Sequence, residues 1–307
     1  MKSNSAARVR KSMRTRLGFN FYDVFVVVFC VLFAVICFYP MWYVLVASVT
    51  PYGEFIKGGL MLWPSGGIDL QYYKTIFSSS SFTNSLWISV TKTVLGTALS
   101  LMVTSSMAYA VSKTHVRGMK VINALVVFNL FFAGGMIPTY VLYMNLGILR
   151  TYWVMVLPAA LNITYFIIMR NYFSYSVPTE LEEAARIDGC NDIRVFFKII
   201  LPLSKPMLAA VGLFIAVLHW NDYYQYMVYI ANKPKLQPFA WVLRRILTDQ
   251  TMMSQVRNGA MDIGGQLPPP MALRMATIIC AMLPIMLVYP FLQKHFAKGI
   301  LIGAVKE

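Results

Sequence analysis

Six long apolar stretches are the feature of this sequence that most constrains its fold. A helix needs about 20 apolar residues to cross the roughly 30 Å hydrocarbon core of a bilayer. Of the 307 residues, 58% are hydrophobic and only 13% are charged, which is far outside the range of a soluble domain. The sequence therefore predicts an all-α integral membrane protein with six transmembrane helices, near residues 22–49, 85–112, 121–144, 152–170, 207–230 and 272–293.

The distribution of lysine and arginine predicts the orientation, because short cytoplasmic loops collect positive charge. Six basic residues precede the first span: Lys2, Arg8, Arg10, Lys11, Arg14 and Arg16. They place this end in the cytoplasm, and six crossings then bring the loop 171–206 and the C-terminal tail to the same side. The formal net charge of +15 follows from this topology and from anionic lipid, so we expect no nucleic-acid partner.

The same topology divides the chain into segments. We predict a cytoplasmic basic segment over 1–20, a first transmembrane helix over 21–50, an extracellular loop over 51–84, a core over 85–293 and a cytoplasmic tail over 294–307. Within the core, the loop 231–271 is also extracellular. It carries five basic residues that the charge rule does not explain: Lys233, Lys235, Arg244, Arg245 and Arg257.

Catalytic and metal-binding patterns are missing from the sequence. The four cysteines at 30, 37, 190 and 280 and the three histidines at 115, 219 and 295 match no disulfide framework, zinc spacing or nucleophile–base pair. No glycine-rich phosphate loop occurs either. We therefore expect no catalytic residue, metal or cofactor in this chain, which is not an enzyme, and any nucleotide that drives it is bound by another chain.

The loop 171–206 reads as two short helices separated by a glycine. Pro178 suits the first turn of a helix, and the three glutamates that follow place negative charge at its positive end. Leu181, Ala184, Ala185 and Asp188 share one face by spacing, and the small alanines allow another surface to approach closely. Gly189 then ends the helix in a conformation that a side chain would penalise.

A second helix follows from Asp192 to Leu201. Its apolar stripe is predicted to comprise Ile193, Phe196, Phe197 and Ile200, and Pro202 and Pro206 turn the chain into the fifth span. One interpretation of the whole loop is an amphipathic linker lying on the lipid surface. The other is a stiff element that passes contact to a soluble partner.

The order and spacing of seven residues in this loop resemble the signature loop of permease subunits of bacterial ATP-binding-cassette (ABC) importers. They are Glu183, Ala184, Ala185, Gly189, Ile199, Leu201 and Pro202. The stretches 134–140, 169–173 and 298–306 look like the carbohydrate-uptake branch, in particular the lipoprotein-dependent oligosaccharide or polysaccharide permeases, similar to the maltose-type permease.

This resemblance implies the type I, binding-protein-dependent importer fold and alternating access in a bacterial cytoplasmic (inner) membrane. It implies a heterodimer with a second, related permease, two cytoplasmic ATPases that bind ATP and Mg, an extracellular solute-binding lipoprotein and an oligosaccharide substrate. The loop becomes the coupling helix that docks on the ATPase. The implied ATPase-coupling residues are Glu183, Ala184, Ala185, Asp188, Gly189, Leu201 and Pro202.

Polar groups inside the spans are candidates for the substrate path, because polarity in hydrocarbon is costly and usually faces protein or a cavity. Aromatic faces and amide or carboxylate groups suit sugars. The candidates are Trp220, Asn221, Asp222, Tyr223 and Tyr224, with Asn162 and Asn129. Tyrosine and tryptophan near a helix end are also typical of an interfacial belt, and Lys92 and Asn129 suit bonds between helices.

Two other classes of protein and two roles for one loop stay open. Six spans with a polar pocket also suit a secondary transporter or an intramembrane enzyme. A secondary transporter should show discontinuous helices and buried ion-coupling carboxylates. An importer of this type could also carry a non-sugar solute. The loop 231–271 either caps the cavity or enters the binding protein, and Asp262 to Gln266 is the segment whose deletion tests this.

Overall fold

The computed structural model describes residues 21–59, 61–64, 66–113, 116–132, 134–248 and 270–304. The basic segment 1–20, the later part of the loop 231–271 with Arg257 and Asp262 to Gln266, and the last residues 305–307 lie outside the described residues. Those described are helical or irregular, with no β-strand among them, which confirms the all-α fold. They fall into two compact units, which divide after Leu70.

The first unit is dominated by one helix, α1 (Phe21–Val49), followed by the short helix α2 (Tyr52–Phe55). Most side chains of α1 from residues 22 to 41 are exposed, as expected of a helix surrounded by lipid. The chain that follows α1 returns to the end of this helix, where two hydrogen bonds hold it. Trp42 Nε1 donates to the carbonyl of Leu62 at 2.9 Å, and Asp69 N donates to the carbonyl of Val49 at 2.8 Å.

The second unit contains the remaining helices. In chain order they are α3 (Gln71–Ser78), α4 (Ser80–Ser112), α5 (Met119–Phe131), α6 (Met136–Asn145), α7 (Ile163–Tyr175), α8 (Thr179–Ile187), α9 (Asp192–Leu203), α10 (Lys205–Asn221), α11 (Phe239–Thr248) and α12 (Pro270–Ala304). Short 3₁₀ turns at Tyr152–Met155 and Pro158–Ala160 precede α7.

Among the described residues, four helical segments are long and apolar enough to cross a membrane: Tyr22–Val49, Ser80–Ser112, Tyr152–Tyr175 and Met271–Val288. They match the first, second, fourth and sixth predicted spans. A fifth is obtained if α9 and α10, which are bent by 82° with respect to each other, are counted as one broken span. The bend lies at Ser204, between the two prolines that were expected to turn the chain.

The prediction of one continuous helix over 121–144 was wrong. The chain forms α5, which ends at Phe131, and resumes as α6 at Met136. Phe132, Gly134 and Gly135 between them are not helical. Gly135 has a φ of 83°, a backbone conformation that interrupts a right-handed helix and that glycine adopts at little cost. Hydropathy stays high across the interruption, so the apolar pattern alone does not report it.

The predicted helix over 207–230 is also interrupted. Helix α10 ends at Asn221, Asp222 has extended backbone angles, and a π-helical turn covers Tyr226–Ile230. The Asp222 carboxylate accepts hydrogen bonds from the backbone N–H groups of Tyr224 at 3.0 Å and Gln225 at 3.4 Å. A carboxylate in this position satisfies N–H groups that a helix start leaves without partners, so Asp222 restarts the helix.

Helix α4 is the centre of the second unit, packed against α7 and α10. One buried apolar cluster lies where α4, α7 and α9 meet and includes Tyr109, Phe173, Phe196 and Ile200. A second lies between α3, the start of α4, α10, α11 and α12 and includes Phe82, Trp220, Phe239 and Leu273. The two clusters fix both ends of α4, and the candidate sites described next lie beside them.

Candidate coupling segment and polar cavity

The first candidate site is the segment formed by α8 and α9. Pro178 immediately precedes α8, one position outside the predicted first turn. Gly189 ends the helix with a φ of 80°, and Cys190 N donates to the carbonyl of Ala185 at 2.9 Å. This is a left-handed glycine cap, as expected. A Cβ at Gly189 would have no atom within 4 Å, so the glycine is needed here for its backbone angle and not for space.

The predicted face of α8 is divided in the structure. Ala185 is buried against the apolar cluster of α4, α7 and α9, whereas Leu181, Ala184 and Asp188 are exposed, as is Glu183. The side of α8 that packs inward is formed by Ala185 and Glu182. The expectation that both alanines serve one surface was therefore wrong, because one anchors the helix and the other faces out.

The predicted stripe on α9 was also partly wrong. Val195, Phe196 and Ile200 are buried, but Ile193 and Phe197 remain exposed. The helix adopts a π-helical turn over Phe196–Ile200, and this wider turn changes which side chains share a face compared with a period of 3.6 residues. Leu201 is half-buried and Pro202 is exposed.

Large apolar side chains are left exposed along this segment. Ile187 is 87% exposed and Ile193 is 70% exposed, and Leu181 and Phe197 are exposed as well. Exposed apolar side chains concentrated on one short, ordered element are typical of a protein or membrane contact. The segment therefore has an inward face that anchors it and an outward face suited to docking.

The anchor is an ion pair that the sequence reasoning did not assign. Glu182 on α8 accepts hydrogen bonds from Lys113 Nζ at the end of α4, and the two side chains are 7% and 16% exposed. The same ammonium lies 4.7 Å from the ring centre of Tyr109, and that ring stacks on Phe196 at 5.1 Å. These contacts join three helices, so α8 is held to both α4 and α9.

The second candidate site is a polar cavity of about 240 Å³ between α4, α10 and the turn before α7. It brings together two of the predicted substrate-path residues, Asp222 and Asn162. Ser100, His219 and Gln225 complete its polar lining. Asn162 also caps α7, since its Oδ1 accepts from Tyr165 N at 3.2 Å.

A buried ion pair lies beside this cavity. Lys92 Nζ donates to Asp222 Oδ2 at 3.1 Å and to the Asp222 carbonyl at 2.6 Å. The lysine side chain is fully buried and the aspartate side chain is 26% exposed. Lys92 thus makes a bond between helices, and it ties the middle of α4 to the point where the fifth predicted span is interrupted.

The remaining substrate-path candidates point elsewhere. Trp220 is buried and donates from Nε1 to the carbonyl of Ala281 on α12 at 3.1 Å. Asn221 is exposed, with its amide donating to Val217 O at 3.0 Å, and Tyr224 is exposed, with its hydroxyl 3.4 Å from Met136 Sδ.

Two further candidates also lie away from the cavity. Arg244 donates a hydrogen bond to the hydroxyl of Tyr223, and its guanidinium lies 4.5 Å from the centre of the Tyr223 ring. Asn129 is exposed on α5. Of the seven candidates, therefore, only Asp222 and Asn162 share the cavity, because consecutive residues around the interruption project in different directions.

Comparison with known proteins adds a family match and close relatives. The model of the family described as "binding-protein-dependent transport system inner membrane component" matches residues 122–302. The polygalacturonan/rhamnogalacturonan transport system permease protein YtcP of Bacillus subtilis (strain 168) is 41% identical, over 96% of this chain and 100% of the relative. Protein LplC of the same organism is 40% identical, over 98% and 99%.

A solved structure is also similar over nearly the whole chain. It is a crystal structure of a bacterial ABC transporter involved in the import of the acidic polysaccharide alginate. The matched chain is 30% identical with a TM-score of 0.79, and the match covers 91% of this chain and 99% of that one. The helical arrangement described above is therefore also found in a chain of this solved ABC transporter.

Proposed function

We propose that this chain, which belongs to the family of inner membrane components of binding-protein-dependent transport systems, forms half of the translocation path for an acidic oligosaccharide. It is a permease subunit of an ABC-type sugar importer. The relatives support this substrate class. One is named for polygalacturonan and rhamnogalacturonan transport, and the solved transporter imports the acidic polysaccharide alginate. The outer half of the path would receive the sugar from an extracellular solute-binding lipoprotein.

The single observation that carries the coupling role is the construction of α8. Its inner face is fixed by the Glu182–Lys113 ion pair and buried Ala185, and its outer face presents Ala184 and Ile187 to solvent. A short helix held in this way moves as a unit with α4. We infer that its outer face, with Glu183, Asp188, Gly189, Leu201 and Pro202, docks on a cytoplasmic ATPase.

The energy then comes from partner chains. Two ATPase subunits bind ATP and Mg, a second, related permease forms the other half of the path, and this chain contributes no catalytic group. The proposed location is a bacterial cytoplasmic (inner) membrane with both termini on the cytoplasmic side. The basic residues before the first span support that orientation.

Helix α4 is the element through which we propose that motion reaches the path. Lys113, at its end, holds α8, and Lys92, about 32 Å away by helical rise, holds Asp222 beside the polar cavity. The helix is uninterrupted between them, whereas its partner α10 ends at the cavity. A stiff rod with a specific ionic contact at each site transmits a rigid-body displacement with little loss. ATP binding would thus tilt the interrupted region and open the cavity outward, and hydrolysis would reset it.

Interrupted helices were also the sign expected of a secondary transporter, and the structure has them. The carboxylate at the interruption is neutralised by Lys92, so it lacks the unpaired charge that ion coupling requires.

Reconstitution tests these roles together. Proteoliposomes containing this chain, its sister permease and both ATPases, supplied with the binding protein, should accumulate the oligosaccharide only when ATP is present on the ATPase side. Omission of this chain should abolish uptake. Uptake driven by an ion gradient without ATP would contradict the proposal, and uptake of peptides in place of sugars would overturn the substrate class.

A further inference from the structure

A second pocket lies at the base of the loop 231–271, away from the cavity described above. It has a volume of about 470 Å³, and its lining includes Tyr226, Asn232, Gln237, Trp241 and Arg245. Pockets that hold small molecules typically measure roughly 300 to 1,000 Å³. The cavity beside Asp222 falls below that range, whereas this pocket lies inside it.

Hydrogen bonds fix the walls of this pocket. Tyr226 Oη donates to the carbonyl of Lys233 at 3.3 Å, and Lys233 Nζ donates to the carbonyl of Arg150 at 2.9 Å. Asn84 Nδ2 also donates to the carbonyl of Lys235 at 2.9 Å, next to the lining residue Pro234. The pocket is therefore preformed, as ligand sites usually are.

The backbone at the rim has an unusual conformation. Ala231 and Asn232 are consecutive residues with φ values of 29° and 56°. Residues other than glycine rarely take positive φ, and such residues persist at ligand-binding positions because the surrounding structure holds them there. This conformation carries the Asn232 side chain to the rim of the pocket.

The lining has the groups that recognise a sugar. Trp241 and Tyr226 contribute aromatic rings 5.7 Å apart, Asn232 and Gln237 contribute amides, and Arg245 contributes a guanidinium. Gln237 is buried, and its Oε1 has no hydrogen-bond partner among the described residues. Buried polar atoms are normally paired, so an acceptor of this kind at a pocket wall suits a ligand hydroxyl.

The charge of the segment around the pocket indicates which class of ligand it suits. Residues 223–248 contain four basic side chains and no aspartate or glutamate. They are Lys233, Lys235, Arg244 and Arg245. In the proposed orientation this segment is extracellular, where the topology rule does not favour positive charge. Arg245 lines the pocket, and a guanidinium pairs with a carboxylate in a bidentate geometry, so the lining suits an anionic ligand.

We propose that this pocket binds one carboxylate-bearing sugar unit of the arriving oligosaccharide, with Arg245 on the carboxylate, Asn232 and Gln237 on hydroxyls and Trp241 against the ring. The proposal rests on the proposed function, and it adds an outer binding site, separate from the cavity beside Asp222, at which acidic sugars are selected before they pass inward.

The test uses the complete purified complex without its binding protein. Binding of trigalacturonate is compared with binding of fully methyl-esterified trigalacturonate, which has the same size and no charge. The wild-type complex should prefer the acid. Arg245→Gln should weaken binding of the acid about tenfold to a hundredfold, the range expected for one charged hydrogen-bonded pair, and should leave the ester unchanged. Arg245→Lys should retain part of the preference.

Lys235→Gln is the matched control, because it removes one positive charge from the same segment at a residue outside the pocket lining. It should change binding of the acid less than twofold. Equal effects of Arg245→Gln and Lys235→Gln, or an undiminished acid preference in Arg245→Gln, would overturn the pocket assignment. The assignment would also be overturned if Arg245→Gln bound trigalacturonate normally but no longer docked the ligand-free binding protein. The pocket would then serve an acidic protein surface.

Uptake separates this proposal from the one on which it rests. If proteoliposomes of the wild-type complex import trigalacturonate and Arg245→Gln binds it normally, only the pocket is wrong. If the wild-type complex neither binds nor imports trigalacturonate, the acidic-substrate assignment and the pocket both fail.

Discussion

The Glu182–Lys113 ion pair gives the sharpest prediction about how α8 is held. In Glu182→Gln the size of the side chain is kept but its charge is lost, so the ammonium of Lys113 is left in a site where it is only 16% exposed. Removing one partner of a buried ion pair costs about 3 to 5 kcal/mol. The remaining exposure and the contact with the Tyr109 ring lower that cost, so we expect about 3 kcal/mol, or roughly a hundredfold in the local opening equilibrium.

Hydrogen exchange measures this opening directly. The backbone N–H groups of Asp188, Gly189 and Cys190 donate to carbonyls of α8 and report its integrity. In the purified complex, their protection should fall about a hundredfold in Glu182→Gln. Lys113→Met combined with Glu182→Met should recover most of the protection, because an apolar pair leaves no unpaired charge.

An exposed ion pair on the same segment provides the control. Arg186 and Asp192 are 43% and 72% exposed, and exposed pairs contribute about 0 to 1 kcal/mol. Asp192→Asn should therefore change protection about fivefold or less. The reasoning is refuted if Glu182→Gln has no larger effect than Asp192→Asn, or if the double replacement is as damaging as the single one.

Three further predictions concern the backbone and the packing of the second unit. Gly189→Ala should reduce ATP-driven uptake, because a non-glycine residue at a φ of 80° costs about 1 to 2 kcal/mol. Gly189→Asn should reduce uptake less, and equal uptake by both variants and the wild type would show that the cap has no role. Asp222→Asn should speed thermal inactivation of the complex by leaving a fully buried lysine unpaired, and unchanged inactivation would show that this lysine is not charged. Gly96→Ala should also destabilise the complex, because its Cβ would lie 2.5 Å from the His219 ring and overpacking costs about 1 to 3 kcal/mol. Gly212→Ala is the milder control, since its Cβ would meet the flexible Leu101 side chain at 3.0 Å. Equal destabilisation by the two variants would contradict the packing described.

The sequence predicted the helical membrane fold because length and hydropathy suffice to identify helices such as α1, α4 and α12. It did not predict the interruptions between α5 and α6 and at Asp222, since both occur inside apolar stretches. Gly134 and Gly135 were a visible signal for the first. For the second, an aspartate within a span could have been interpreted as a capping residue and not only as a polar group facing a cavity.

Contacts between distant residues explain the rest of the difference. The order and spacing of the coupling residues predicted α8 and its glycine cap, but the ion pair between Lys113 and Glu182 joins residues 69 positions apart. Glu182 and Ala185 together form the buried side of α8, and the spacing alone does not show which alanine shares that side. A pattern based on a regular period does not predict the π-helical turn over Phe196–Ile200, and it placed the exposed Ile193 and Phe197 in the buried stripe.

A cysteine at Ala184 tests the central claim most directly. In a chain from which Cys30, Cys37, Cys190 and Cys280 have been removed, Ala184→Cys is exposed on α8, and Ala185→Cys, which is buried, is the control. A membrane-impermeant maleimide should label Ala184→Cys in inside-out vesicles but not in intact cells, and a short cross-linker should join it to an ATPase subunit in the assembled complex. Labelling from outside, or the absence of any ATPase adduct, would contradict the account.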